Sequence, residues 1–132
     1  MDTFDTSLPW IAVVDDEEPV RRAVLRLLRA AGLPAHGFSG GAELLAAGMQ
    51  QQPYCVVLDL HMPGMDGIEL QQRLAGSMPR SAVVAVTGSQ SAETRARMEQ
   101  AGALAFLPKP VDEEQLLAAI ATAWARWHED NA

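Results

Sequence analysis

The chain carries a single cysteine, Cys55, set inside an apolar run. An internal disulfide is therefore impossible, and a packed free thiol in a reducing cytoplasm is the expected state. No basic-then-apolar stretch opens the sequence, and no apolar run approaches the length of a membrane span, so neither a signal peptide nor membrane insertion is expected. Positive charge is also scarce: ten Lys and Arg stand against seventeen Asp and Glu, for a net charge of -7. No basic run is long enough to track a phosphate backbone, which disfavours direct nucleic-acid binding. Neither G-x-G-x-x-G nor G-x-x-x-x-G-K-[ST] follows any apolar run, and the common nucleotide-binding loops are set aside with them. Internal repeats, low-complexity tracts and an interdomain linker are missing too.

What remains is an ordinary globular composition, 48% hydrophobic and 20% charged over 132 residues. That length supports one domain with a real core and is short for two. A single domain over residues 1–132 is expected, with an ordered core at about 9–128. Apolar runs without polar alternation recur at Trp10 to Val14, Tyr54 to Leu58 and Ala82 to Val86, the pattern of parallel strands buried on both faces. Leu33 to Phe38, broken by Pro34 and Gly37, reads as an edge strand, and Leu104 to Leu107 as a fifth.

Helical spacing lies between these runs. Val20, Val24, Leu27, Leu28 and Ala31 share one face of a helix, with Pro19 in its first turn, Glu17 and Glu18 at the positive end of its dipole and Gly32 as its stop. Further helices are expected at Gly41 to Gln51, Ile68 to Gly76, Ala92 to Ala101 and Glu113 to His128, the last opened by Asp112 and Gln115 in a capping-box arrangement. Five strands alternating with five helices call for right-handed crossovers and a parallel sheet. The expected fold is α/β, a doubly wound (βα)5 sheet.

In such a sheet ligands gather at the carboxyl ends of the strands. The first strand ends in Asp15 and Asp16, the third in Asp59, the fourth in Thr87, and the fifth runs into Lys109 and Pro110. In the flavodoxin-like order 2-1-3-4-5 the three aspartates converge. Two unit charges about 4 Å apart repel by roughly 4 kcal/mol at an effective dielectric of 20, so the cluster asks for a cation. Oxygen ligands alone favour Mg2+, with Mn2+ or Ca2+ next, over zinc. Taken singly, each feature has a plainer reading: a solvated acidic turn at Asp15 to Glu18, an ordinary turn after Asp59, a surface lysine at Lys109.

The ordered set VVDDEEPVRR, LDLHMPGMDGIEL, AVTG and FLPKP resembles the receiver domains of two-component response regulators, over about residues 9 to 128. The first two stretches look particularly like receivers of the nitrogen-fixation type, which precede a DNA-binding domain. The resemblance implies that Asp59 accepts a phosphoryl group from a sensor histidine kinase, a phosphotransfer protein or a small phosphodonor. It implies that Asp15, Asp16, Asp59 and the main-chain carbonyl of His61 hold Mg2+, that Thr87 hydrogen-bonds the phosphoryl group and that Lys109 pairs with one of its oxygens. Phe106 becomes the aromatic switch coupled to Thr87. Met62, Pro63, Gly64 and Gly67 shape the loop beside the site, while His61, Gly88 and Ser89 tune the lifetime of the acyl phosphate. The resemblance also makes the Lys109–Pro110 bond cis, where base frequencies for X-Pro favour trans.

The implied output face consists of the fourth helix, fifth strand and fifth helix, used for a downstream target protein or a homodimer. Trp124 and Trp127 read first as core and second as a partner patch. Two roles remain open: a stand-alone regulator or phosphorelay intermediate, and a receiver excised from a longer DNA-binding regulator. A phosphorylation-independent binding module of the same fold is the rival reading. A haloacid-type phosphatase would need a second acid where this chain has His61.

Overall fold

The computed structural model describes residues 6–61, 67–88 and 91–130. Its strands are β1 (Ile11–Val14), β2 (Ala35–Phe38), β3 (Cys55–Asp59), β4 (Ala82–Thr87) and β5 (Ala105–Pro108). The helices between and after them are α1 (Glu18–Ala30), α2 (Gly41–Ala46), α3 (Gly67–Ser77), α4 (Ala92–Gln100) and α5 (Glu113–Asp130). The sheet has the flavodoxin-like order 2-1-3-4-5, and every neighbouring pair is parallel.

Alternation along each strand divides the core in two. Ala12, Val14, Val56, Leu58 and Ala85 face α2, α3 and α4 through Leu44, Leu70, Leu74 and Met98. Ile11, Val13, Cys55, Val57, Val84 and Val86 face α1 and α5 through Val24, Leu28, Leu116, Ile120 and Trp127. The central strands β1, β3 and β4 therefore need apolar residues up to their carboxyl ends, which is why their sequences show no polar alternation.

Local signals fix the helix ends. In α1, Pro19 lies in the first turn, and the chain reverses at Gly32 (φ +79°), where Gly32 N–H donates to Arg29 O and Leu33 N–H to Leu28 O. At the start of α5, Asp112 Oδ2 accepts the N–H of Gln115 at 2.9 Å. The expected helix to Gln51 is shorter: α2 stops at Ala46, and Ala47 is extended (φ -67°, ψ 131°). Beyond it, Gln50 N–H donates to Thr6 Oγ1 and Gln51 O accepts Trp10 Nε1–H, so these backbone groups bind the segment entering β1 instead of a helix.

Trp127 is buried, with the Arg80 guanidinium 4.1 Å above its ring, whereas Trp124 is 40% exposed and meets Tyr54 edge-on at 5.1 Å. No described helix is long and apolar enough to cross a membrane.

Candidate metal centre

β1 and β3 are hydrogen-bonded neighbours with Val14 opposite Leu58, so Asp15, just past β1, and Asp59, the last residue of β3, emerge side by side. Asp15 and Asp59 are buried there, at 5% and 3% exposure, while Asp16 and Glu17 face solvent. One carboxylate oxygen from each of Asp15, Asp16, Glu17 and Asp59 lies within 4.8 Å of all the others. The convergence expected of Asp15, Asp16 and Asp59 is thus present in the fold.

Lys109 enters the same crevice from the end of β5. Its Nζ lies 3.3 Å from Asp15 Oδ2, 3.4 Å from Asp59 Oδ1 and 3.5 Å from Glu17 Oε1. One ammonium therefore faces several carboxylates. Backbone donors share the load: Glu17 N–H donates to Asp15 Oδ1 at 2.9 Å and His61 N–H to Asp59 Oδ1 at 3.1 Å. Asp59 Oδ2 is buried and accepts no hydrogen bond among the described residues.

These surroundings set the protonation equilibria. Burial pushes the Asp59 carboxyl above the usual range and Asp15 adds to it, against the pull of the His61 N–H and of Lys109. Burial acts to lower Lys109, but Asp15 and Asp59 outweigh it and leave the ammonium above its ordinary value. A cluster with a buried, unpartnered carboxylate oxygen, all-oxygen donors and surplus negative charge fits a hard divalent cation such as Mg2+.

Of the remaining expected residues that the structure describes, Thr87 lies at the same edge and Phe106 within β5. Thr87 ends β4 one residue beyond Val86, the partner of Asp59, is fully buried, and its carbonyl accepts the N–H of Lys109 at 2.8 Å. Phe106 is half-buried on β5 opposite Ala85, with the Arg95 guanidinium 5.7 Å from its ring centroid. The Lys109–Pro110 peptide is cis. His61 and Gly88 are exposed. A Cβ at Gly67 would stand 2.9 Å from Leu60 Cα, so the start of α3 can pass this close to the end of β3 only as glycine. Met62, Pro63, Gly64 and Ser89 lie outside the described residues.

Two participants were not foreseen. Glu17, a helix-dipole complement by its place before α1, also contributes its carboxylate to the acidic cluster, for which its place in the run D-D-E-E is the available signal. Arg21 donates through Nη1 to Asp15 O at 2.8 Å, fixing the backbone at the end of β1, and nothing in its helical spacing marked it.

Comparison with known proteins places the arrangement. The family model for the response regulator receiver domain matches residues 11–121. The chain belongs to this family. It is 33% identical over 117 residues to the DNA-binding transcriptional regulator NtrC of Escherichia coli (strain K12), covering 89% of this chain and 25% of that protein. It is 33% identical over 120 residues to the transcriptional regulatory protein FixJ of Azorhizobium caulinodans, covering 91% of this chain and 56% of that one. The receiver thus spans between a quarter and a little over half of these curated relatives. Among solved structures, a CheY-like receiver domain protein from Methanospirillum hungatei JF-1 superposes with a TM-score of 0.85 at 27% identity, over 94% of this chain and 99% of that one. Receiver domains of response regulators are signalling modules.

Proposed function

We propose that this receiver is a phosphorylation-controlled switch in which Asp59 takes a phosphoryl group from the phosphohistidine of a sensor kinase or phosphotransfer protein. The observation that carries the reading is the meeting of Asp59, its Oδ2 buried without a hydrogen bond, with Asp15, Asp16 and Lys109 at one strand edge. In the transfer a carboxylate oxygen of Asp59 forms the new O–P bond as the P–N bond of the donor breaks, and the imidazole leaves with the electron pair of that bond. Two anions must approach one another, so the geometry has to supply positive charge rather than an acid or base.

Lys109 supplies part of it from 3.4 Å. Asp15, Asp16, Asp59 and the His61 carbonyl are the residues that would hold Mg2+, with Glu17 on the exposed rim. When bound, the cation neutralises phosphoryl oxygens and orients the acceptor. Thr87, at the end of β4, hydrogen-bonds the transferred group; Lys109 holds another of its oxygens. The mixed anhydride formed on Asp59 is labile, and the domain governs both its formation and its hydrolysis.

The output follows from contacts that only the phosphorylated state makes. A swing from 1:99 to 99:1 takes about 5.5 kcal/mol of such contacts. Thr87 moves toward the phosphoryl group, Phe106 turns into the space it leaves, and the surface of α4, β5 and α5 changes for a target protein or a second copy. The kinase and target are cytoplasmic in this reading. Its likeness to the receivers of NtrC and FixJ favours, as a second role, control of a DNA-binding domain within a longer regulator.

The test is to incubate the protein with Mg2+ and acetyl phosphate or phosphoramidate and to look for a labile phosphoryl mass. The mass should appear in the parent and vanish in Asp59→Asn; a parent that never gains it, or a variant that still does, overturns the proposal.

A further inference from the structure

α4 is held to the fold by little apolar surface. Of its residues only Met98 is buried, and its sequence AETRARMEQ offers no other large apolar side chain. Besides Met98, Arg95 reaches the Phe106 ring on β5, and polar groups define the ends of the helix. At the N-terminus Ser91 Oγ accepts the N–H of Thr94 at 3.3 Å. At the C-terminus the chain reverses at Gly102 (φ +99°), with Gly102 N–H donating to Glu99 O and Ala103 N–H to Met98 O.

That reversal leaves the Ala101 carbonyl for another donor, which comes from the neighbouring helix: Gln71 Nε2, on α3, donates to Ala101 O at 2.8 Å. Gln71 is 2% exposed, and its Oε1 is buried and accepts no hydrogen bond among the described residues. An apolar side chain of similar size would fill the same space without burying an unpaired acceptor. What glutamine adds is the bond to the end of α4. The two helices it joins are those that lead away from β3 and β4, the strands ending in Asp59 and Thr87.

We infer that Gln71 is a positioning residue: it pins the C-terminal end of α4 to α3 in the arrangement where Lys109 pairs with Asp59, and release of this pin is part of the switch. The coupling to the switch rests on the phosphoryl-acceptor reading; the pin itself does not. Phosphorylation that displaces α4 must break the Gln71–Ala101 bond, so by linkage, loosening the bond makes phosphorylation easier.

The test compares Gln71→Met, which keeps length and shape but donates nothing, with Gln71→Glu, which sets an acceptor against the Ala101 carbonyl. Amide hydrogen exchange is followed at Gly102 and Ala103 and, as the internal standard, in β1 and β3. Gln71→Met should speed exchange at the α4 end roughly two- to tenfold, the loss of one net hydrogen bond, with Gln71→Glu further along the same line and the strands unchanged. Labelling by phosphoramidate with Mg2+ should accelerate in the same order. Exchange at Gly102 and Ala103 that matches the parent, or that rises only in step with the strands, overturns the pin. Faster exchange at the helix end with unaltered labelling overturns its part in the switch. A parent that takes no phosphoryl group while both variants loosen α4 supports the pin and sinks the phosphoryl reading, along with the coupling.

Discussion

Lys109 Nζ stands 3.4 Å from Asp59 Oδ1 and 3.3 Å from Asp15 Oδ2, closing the crevice between the first and third strands from the far side of the fourth. Among the described residues it is the cation paired with this cluster, and it balances only part of the negative charge there.

Removing it should therefore cost stability. In Lys109→Ala two buried carboxylates lose their counter-ion, and we expect a loss of roughly 1–3 kcal/mol in the presence of EDTA. Added Mg2+ should restore a large share. Urea melts with and without the cation provide the measurement, and equal stability of parent and variant in EDTA would contradict the electrostatic account.

Asp59 gives the opposite sign. Its folded-state carboxyl titrates above the ordinary range, chiefly because it is buried, so the folded chain binds this proton more tightly than the unfolded one. That contribution to stability is present at low pH and is lost as pH rises from the ordinary carboxylate value through the raised one. Asp59→Asn should abolish this part of the pH dependence and, at neutral pH without divalent cations, raise the melting temperature. Calorimetry over the acid-to-neutral range checks both expectations.

Cation binding should appear as linkage. At a Mg2+ concentration a hundredfold above its Kd, the parent should gain about 2.7 kcal/mol. The double variant Asp15→Asn, Asp16→Asn should not respond. A melting temperature insensitive to Mg2+ in the parent would remove the cation from the site.

At the other end of the scale, burial pushes the Cys55 thiol up to about 12, and burial, aided by Cys55, raises Tyr54 to about 12. The unfolded chain releases these protons first. Stability should thus be unaffected below the ordinary thiol value and fall above it, by about 1.4 kcal/mol per pH unit for Cys55. Cys55→Ala should flatten the alkaline limb, and the native thiol should resist thiol reagents at neutral pH.

The sequence was most legible where one physical demand acts alone. Strands buried on both faces must be apolar throughout, so Val13, Val57 and Val84 announced themselves, and Pro19, Gly32 and Asp112 marked helix ends because each meets a backbone requirement. The site could be read because its residues terminate strands that the flavodoxin-like order 2-1-3-4-5 sets side by side. The misses were tertiary. α2 ends at Ala46 because Gln50 and Gln51 bond to Thr6 and Trp10, partners that no local pattern reveals. Arg21 and Gln71 act on distant carbonyls, and helical spacing treats them like any other polar residue.

The acidic cluster is dry on one side and wet on the other: Asp15 and Asp59 are sealed into the sheet edge, while Asp16 and Glu17 stand in water. The rim is thus open to solvent without any strand parting, whereas Asp59 Oδ2 stays shielded behind it. Were Asp59 to carry the phosphoryl group proposed above, the sheet edge would keep that group away from bulk solvent while the rim stays open to small ions.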